Sequence, residues 1–182
     1  MKSKIDKFAQ KRHGKFNVAA LNSLGDQLAL VLATGFGIGF IPVMSGTWGT
    51  LLAIPLYLAC IKPYPFFFLV AFVIVTMLGV WASDIAGPIL GQTDASQIVI
   101  DEVAGLSMCL VITQPVGKEG LVIAFFFFRI FDILKPFPIS FLEERIPGGL
   151  GVMVDDIVAG LFAGITIVIL SVVFHLSLFN LY

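Results

Sequence analysis

From Leu28 to Ile61 the chain carries no Asp, Glu, Lys, Arg or His. That run is longer than the ~20 apolar residues a membrane-crossing helix needs, and it restricts the fold more than any other feature. It cannot be one smooth helix. TGFGIGFIPVMSGTWGT (34–50) is rich in glycine and contains a proline, and both interrupt regular helical hydrogen bonding. The expectation is a broken or re-entrant segment over about 28–44, followed by a helix over about 47–61. Composition points to lipid as the solvent: 58% of the 182 residues are hydrophobic and 13% are charged, against ~25% charged in an ordinary soluble domain.

The basic residues are unevenly placed. Lys2, Lys4, Lys7, Lys11, Arg12 and Lys15 crowd the first fifteen positions, which reads as a cytoplasmic, positive-inside tail. A secretory signal would also begin basic and continue apolar, but no soluble domain follows. Residues 1–27 are therefore expected as a basic cytoplasmic N-terminal tail, and 28–182 as a single integral-membrane catalytic domain. Further helices are expected over 66–82, 98–113, 121–135 and 152–176. Turns are expected at 62–65 and 114–120, and polar loops at 83–97 and 136–151. The fold class is all-α: a polytopic membrane helical bundle with about five crossings plus one broken or re-entrant segment. Threaded this way, only Lys62 and Lys118 among the basic residues lie on the outer side, as the positive-inside rule requires. Cys60 and Cys109 have no metal or redox spacing and read as small packing residues.

FFFFRIFDILKPFP (125–138) sets three charges into a run that otherwise looks lipid-facing. Each charge costs ~2.5–3.5 kcal/mol at a bilayer centre on insertion scales, so they should be off-centre and paired. The threading supplies that arrangement. Arg129, Asp132 and Lys135 fall at the cytoplasmic end of an inward helix. Asp101 and Glu102 start one outward helix, and Asp155 and Asp156 start another. All these groups then share one depth at one leaflet.

DEVAGL (101–106) and DDIVAGL (155–161) echo each other: an acidic pair, then β-branched residues, then Ala-Gly-Leu. Small residues let membrane helices approach closely, so the two acidic pairs could meet. Four clustered carboxylates repel unless a cation joins them. Either Arg129 and Lys135 serve, or Mg²⁺, which takes carboxylates together with phosphate oxygens. Arg129, Asp132 and Lys135 are spaced by three and share a helix face. Asp132 can hold both bases while the Arg fork and the Lys ammonium reach an anion. SGTWGT (45–50) and GGLG (148–151) lead into helices, where free N–H groups favour anions. The bland alternatives are acids that only cap helices in water and bases that form a structural ion-pair ladder.

Absences narrow the chemistry. The two histidines, His13 and His175, lie in the tail and at the outer end of the last helix. Neither can serve a cluster at the inner leaflet, so a histidine nucleophile or a Ser-His-Asp site is disfavoured. A rival reading is a small membrane transporter or channel with an intramembrane charge cluster. Against it, the charges sit at one leaflet, and the DEVAGL/DDIVAGL echo falls on helices running the same way. A non-catalytic scaffold has no use for so many ionisable groups.

DASQIVIDEVAG (94–105), FRIFDILKPFPI (128–139) and GGLGVMVDDIVAG (148–160) strongly resemble the phosphatidylglycerophosphatase A family. SGTWGT looks like that family's early Pro-Gly-Thr-x-Gly element, with Ser45 in place of proline, and Ala95 stands where proline is frequent. The likeness spans about residues 30–165. It implies a Mg²⁺-dependent lipid phosphatase of the bacterial inner membrane, with its site facing the cytoplasm, that converts phosphatidylglycerophosphate to phosphatidylglycerol. The implied catalytic residues are Asp101, Glu102, Arg129, Asp132, Lys135, Asp155 and Asp156. Of these, Asp101, Glu102, Asp155 and Asp156 are the expected metal ligands. Gly46, Thr47, Asp94, Arg129 and Lys135 are the expected substrate contacts. Water and an aspartyl group both stand as nucleophiles.

Overall fold

A computed structural model describes residues 17, 20–61, 65–115, 117–175 and 179. The six basic residues of the tail and most of the turn at 62–65 lie outside them. The regular elements among the described residues are helices, joined by turns and loops, with one isolated bridge between Pro115 and Phe179.

Helix α1 (Leu24–Ala33) starts at a reciprocal cap. Ser23 Oγ accepts from the Asp26 N–H, and the Asp26 carboxylate accepts from the Ser23 N–H, which satisfies two of the amides a helix start leaves open. Gly35, Phe36 and Gly37 all take positive φ and end it. A 3₁₀ turn over Ile38–Phe40 follows, so the segment is broken where the glycines predict. Helices α2 (Ser45–Leu51) and α3 (Ala53–Ile61) replace the single helix expected over 47–61. Pro55 has no N–H to bond the Leu51 carbonyl, and the interruption falls at Leu52.

Helix α4 (Pro65–Leu90) runs well past the expected end at residue 82. Ala82, Ala86 and Leu90 are buried against Ala29 and Ala33 of α1, and this packing carries the helix through Ser83, Asp84 and even Pro88. Helix α5 (Ile100–Thr113) is the most enclosed element, and α6 (Gly117–Leu134) begins inside the expected turn at 114–120. A short α7 (Ile139–Arg145) occupies the expected loop at 136–151, and α8 (Gly148–Phe174) starts at its glycines.

Contacts fix the directions. Along α5 and α8, Gly105 meets Gly160 and then Ile112 meets Gly164, so these two helices are parallel. Lys135 faces Asp155 while Phe131 stacks on Phe162, so α6 is antiparallel to α8. Val80 and Asp84 of α4 meet Gly149, whereas Gly79 meets Met153, so α4 also opposes α8. Gly49 of α2 packs on Val99 just before α5, and Tyr57 of α3 donates to Pro115 O beyond the far end of α5, so α2 and α3 together run with α5. The core joins Phe68, Leu106, Leu110, Phe128 and Ile167.

Helices α4 and α8 are long and apolar enough to cross a membrane, and only 22% and 33% of their most apolar windows are buried within the chain. A soluble core helix would be mostly covered. Here Phe66, Ile74, Met77, Val172 and Phe174 face outward, as in a membrane protein.

Candidate active site

The site grows from the crossing of α5 and α8. A Cβ on Gly160 would strike the Gly105 carbonyl oxygen, and one on Gly105 would come within 2.7 Å of the Asp156 carbonyl oxygen. The backbones are in contact because both positions lack side chains. Asp101 and Asp156 each precede their glycine by four residues, one helical turn. The same close approach therefore brings their carboxylates together.

Oxygens of Asp101, Glu102 and Asp156 all lie within 4.8 Å of one another. Asp101 and Asp156 are buried and Glu102 is half-buried. Glu102 Oε2 and Asp156 Oδ2 are enclosed without a hydrogen-bond partner among the described residues. Buried carboxylate oxygens left open in this way are costly unless something cationic meets them. Three clustered carboxylates, two of them with an unpartnered oxygen, suit a hard divalent cation such as Mg²⁺.

Asp155 does not join that group. Its side chain points to Lys135 Nζ at 2.5 Å. Asp155 and Asp156 leave the helix about 100° apart and meet different partners here, Lys135 on α6 and the acids of α5. Nor do Asp155 and Asp156 stand in the first turn of their helix, because α8 begins at Gly148. Asp101 and Glu102 do stand in the first turn of α5. Asp132 accepts from Arg129 Nη1 at 2.6 Å. The expected ladder changes at its end, where Lys135 leaves the helix with φ 42° and reaches across to α8. The bases are thus held by acids on two helices.

Helix α2 forms the adjoining wall. A Cβ on Gly46 would collide with Glu102 Oε1 and lie 3.3 Å from Arg129 Nη1, so only glycine permits this approach. Arg129 Nη1 also donates to Thr50 Oγ1 at 3.4 Å. Thr50 in turn donates to the Gly46 carbonyl at 2.7 Å. Thr47 is half-buried on the same helix, its N–H bonded to Met44 O. Asp94, in the loop before α5, adds its negative charge to the field at Asp101. Ser45 Oγ bonds Ser96 O at 2.7 Å and ties α2 to that loop.

The two glycine-rich helix starts differ. At GGLG the Gly149 N–H donates to Asp84 Oδ1 at 2.5 Å, and a Cβ on Gly148 would meet the same carboxylate. The anion favoured at that helix start belongs to the protein, which removes GGLG as a phosphate seat. Thr50 and Asp84 escaped the sequence reading. Thr50 lies within SGTWGT, four residues after Gly46, a spacing that could have suggested a shared face. Asp84 gave no signal, because its partner lies far along the chain.

A sequence profile of the phosphatidylglycerophosphatase A family matches residues 31–171. Phosphatidylglycerophosphatase A of Haemophilus influenzae is 35% identical over 142 residues, covering 75% of this chain and 85% of the relative. The Escherichia coli protein of the same name is 37% identical over 134 residues, covering 73% and 77%. A Bacteroides thetaiotaomicron protein provisionally named a phosphatidylinositol-3-phosphatase is 36% identical over 149 residues, covering 78% and 92%. No solved structure matches.

Proposed function

The chain belongs to the phosphatidylglycerophosphatase A family, and from that premise we propose that this phosphatase is Mg²⁺-dependent and cleaves the terminal phosphate of phosphatidylglycerophosphate. The observation that carries the reading is the meeting of Asp101, Glu102 and Asp156 within one coordination-sized space. Beside it lie two bases, each paired with a carboxylate. Phosphate monoesters are among the slowest substrates to hydrolyse unaided, and their enzymes supply most of the gain through charge and position.

Asp101, Glu102 and Asp156 would hold the Mg²⁺, which when bound supplies positive charge and Lewis acidity toward a phosphate monoester. Arg129 presents a planar donor fork, and its Nε is buried without a partner among the described residues. That donor suits a phosphoryl oxygen. Lys135 adds a second positive charge. Asp132 and Asp155 orient the two bases, so Asp155 acts through Lys135 rather than as a fourth metal ligand. In the net reaction a water oxygen bonds to phosphorus while the bond to the lipid's headgroup oxygen breaks. The headgroup leaves as an alcohol, and inorganic phosphate is released.

The same reading puts the site end at the cytoplasmic face of the inner membrane. Helices α2–α3 together, then α4, α5, α6 and α8, would make five crossings. Their alternating directions support this, as do Arg145 near the site end and Lys118 at the opposite end. The transporter reading requires ionisable groups along a path across the bilayer, and the cluster is confined to one end.

The test is phosphate release by purified protein in mixed micelles with Mg²⁺, with and without chelator. The substrates are phosphatidylglycerophosphate and phosphatidylinositol 3-phosphate. Release from the first that chelator abolishes supports the reading. Release only from the second moves the substrate to the class named for the Bacteroides relative. No release from either sinks the phosphomonoester assignment.

A further inference from the structure

We propose that Thr50 is a positioning residue for the reaction: its buried hydroxyl fixes the orientation of the Arg129 guanidinium, so that the edge formed by Nε and Nη2 is kept for two oxygens of a phosphomonoester. This rests on the phosphatase reading and adds which edge of the base takes the phosphoryl group and what holds it there. Thr50 is fully buried, so its hydroxyl has no water to turn to. It donates to the Gly46 carbonyl at 2.7 Å. A hydroxyl has one proton and two lone pairs, so toward Arg129 this one can only accept. That is the polarity a guanidinium needs.

The hydrogen bonds of Arg129 among the described residues both leave from Nη1: one to Asp132 Oδ2 at 2.6 Å and one to Thr50 Oγ1 at 3.4 Å. They account for the two hydrogens of that nitrogen. Nε–H and one N–H of Nη2 project in parallel from the opposite edge, the fork that matches two oxygens of a phosphate. Nε is buried without a partner among the described residues, which is costly until an acceptor arrives. Asp132 alone gives a single attachment, made within α6, and a planar group can turn about one attachment. Thr50 belongs to α2 and supplies a second from another helix. The approach of α2 extends over a full turn, because a Cβ on Gly46 would lie 3.3 Å from the same nitrogen. The Thr50 bond is long for its kind. Hydrogen bonds that serve catalysis are often long without substrate and tighten when it binds.

The deciding experiment compares full-length Thr50→Val and Thr50→Ser with the wild type, using phosphatidylglycerophosphate in mixed micelles. Valine keeps the shape and loses the hydroxyl; serine keeps the hydroxyl. Thr50→Val should lower kcat/KM about tenfold or more and weaken competitive inhibition by inorganic phosphate by a similar factor. The Mg²⁺ concentration for half-maximal activity should stay within about twofold, and Thr50→Ser should recover most of the loss. The metal readout separates positioning from packing. Gly46 of α2 lies against Glu102, so a general displacement of that helix would disturb the cation as well. Wild-type kinetics in Thr50→Val, an equal loss in Thr50→Ser, or a shifted Mg²⁺ requirement with unaltered phosphate inhibition each overturns the proposal. Should Thr50→Val not fold, the smaller Thr50→Ala takes its place, and failure of both to fold assigns Thr50 to packing and overturns the proposal too. Failure of the phosphatase reading looks different: wild-type protein would release no phosphate at all.

Discussion

Gly105 and Gly160 pack backbone to backbone, and one turn earlier on the same two helices Asp101 and Asp156 face each other. The glycines set the distance between the acids. A site of this kind is as sensitive to helix packing as to its own side chains.

Gly160→Leu should therefore damage both stability and turnover. The new side chain would be driven into the Gly105 carbonyl, and overpacking of a tight contact costs about 1–3 kcal/mol. A lowered melting temperature in detergent, with activity lost at temperatures where the variant is still folded, is the expected outcome. Unchanged melting would mean the helices can part without consequence.

The adjacent aspartates should separate by phenotype. Asp156→Asn is expected to raise the Mg²⁺ concentration needed for half-maximal activity about 10–100-fold. Asp155→Asn should leave that concentration nearly unaltered and weaken inhibition by inorganic phosphate, since it loosens Lys135 and not the cation. Equal shifts in Mg²⁺ requirement would return Asp155 to the metal set.

Metal should stabilise the fold as well as the reaction. Three enclosed carboxylates repel one another without a cation, and saturating ligand at 100 times Kd adds about 2.7 kcal/mol. Thermal melts with Mg²⁺ and with chelator should differ in the wild type, and the difference should shrink in Asp101→Asn. Identical wild-type melts would count against a bound divalent cation.

Asp84 provides a control outside the cluster. Asp84→Ala removes the acceptor for the Gly149 N–H and should cost about 0.5–2 kcal/mol, as the loss of a helix cap does. Asp84→Asn keeps an acceptor oxygen and should recover much of it. Denaturation of the two variants side by side reads this directly.

Local sequence information determined a good deal. The glycines and proline of 34–50 announced the break after α1, and helical spacing announced the register that seats Arg129 against Asp132. The sequence also showed the matched Asp-x-x-x-Gly spacing on α5 and α8, because helical spacing alone decides which residues share a face. Other features depended on partners distant in sequence. Helix α4 continues past Trp81 because α1 covers Ala82 and Ala86. Asp84, and not a ligand, fills the start of α8. Asp155 turns to Lys135 while Asp156 turns to Asp101 and Glu102. Spacing fixes the directions in which side chains leave a helix, but only the packed bundle decides what each direction meets.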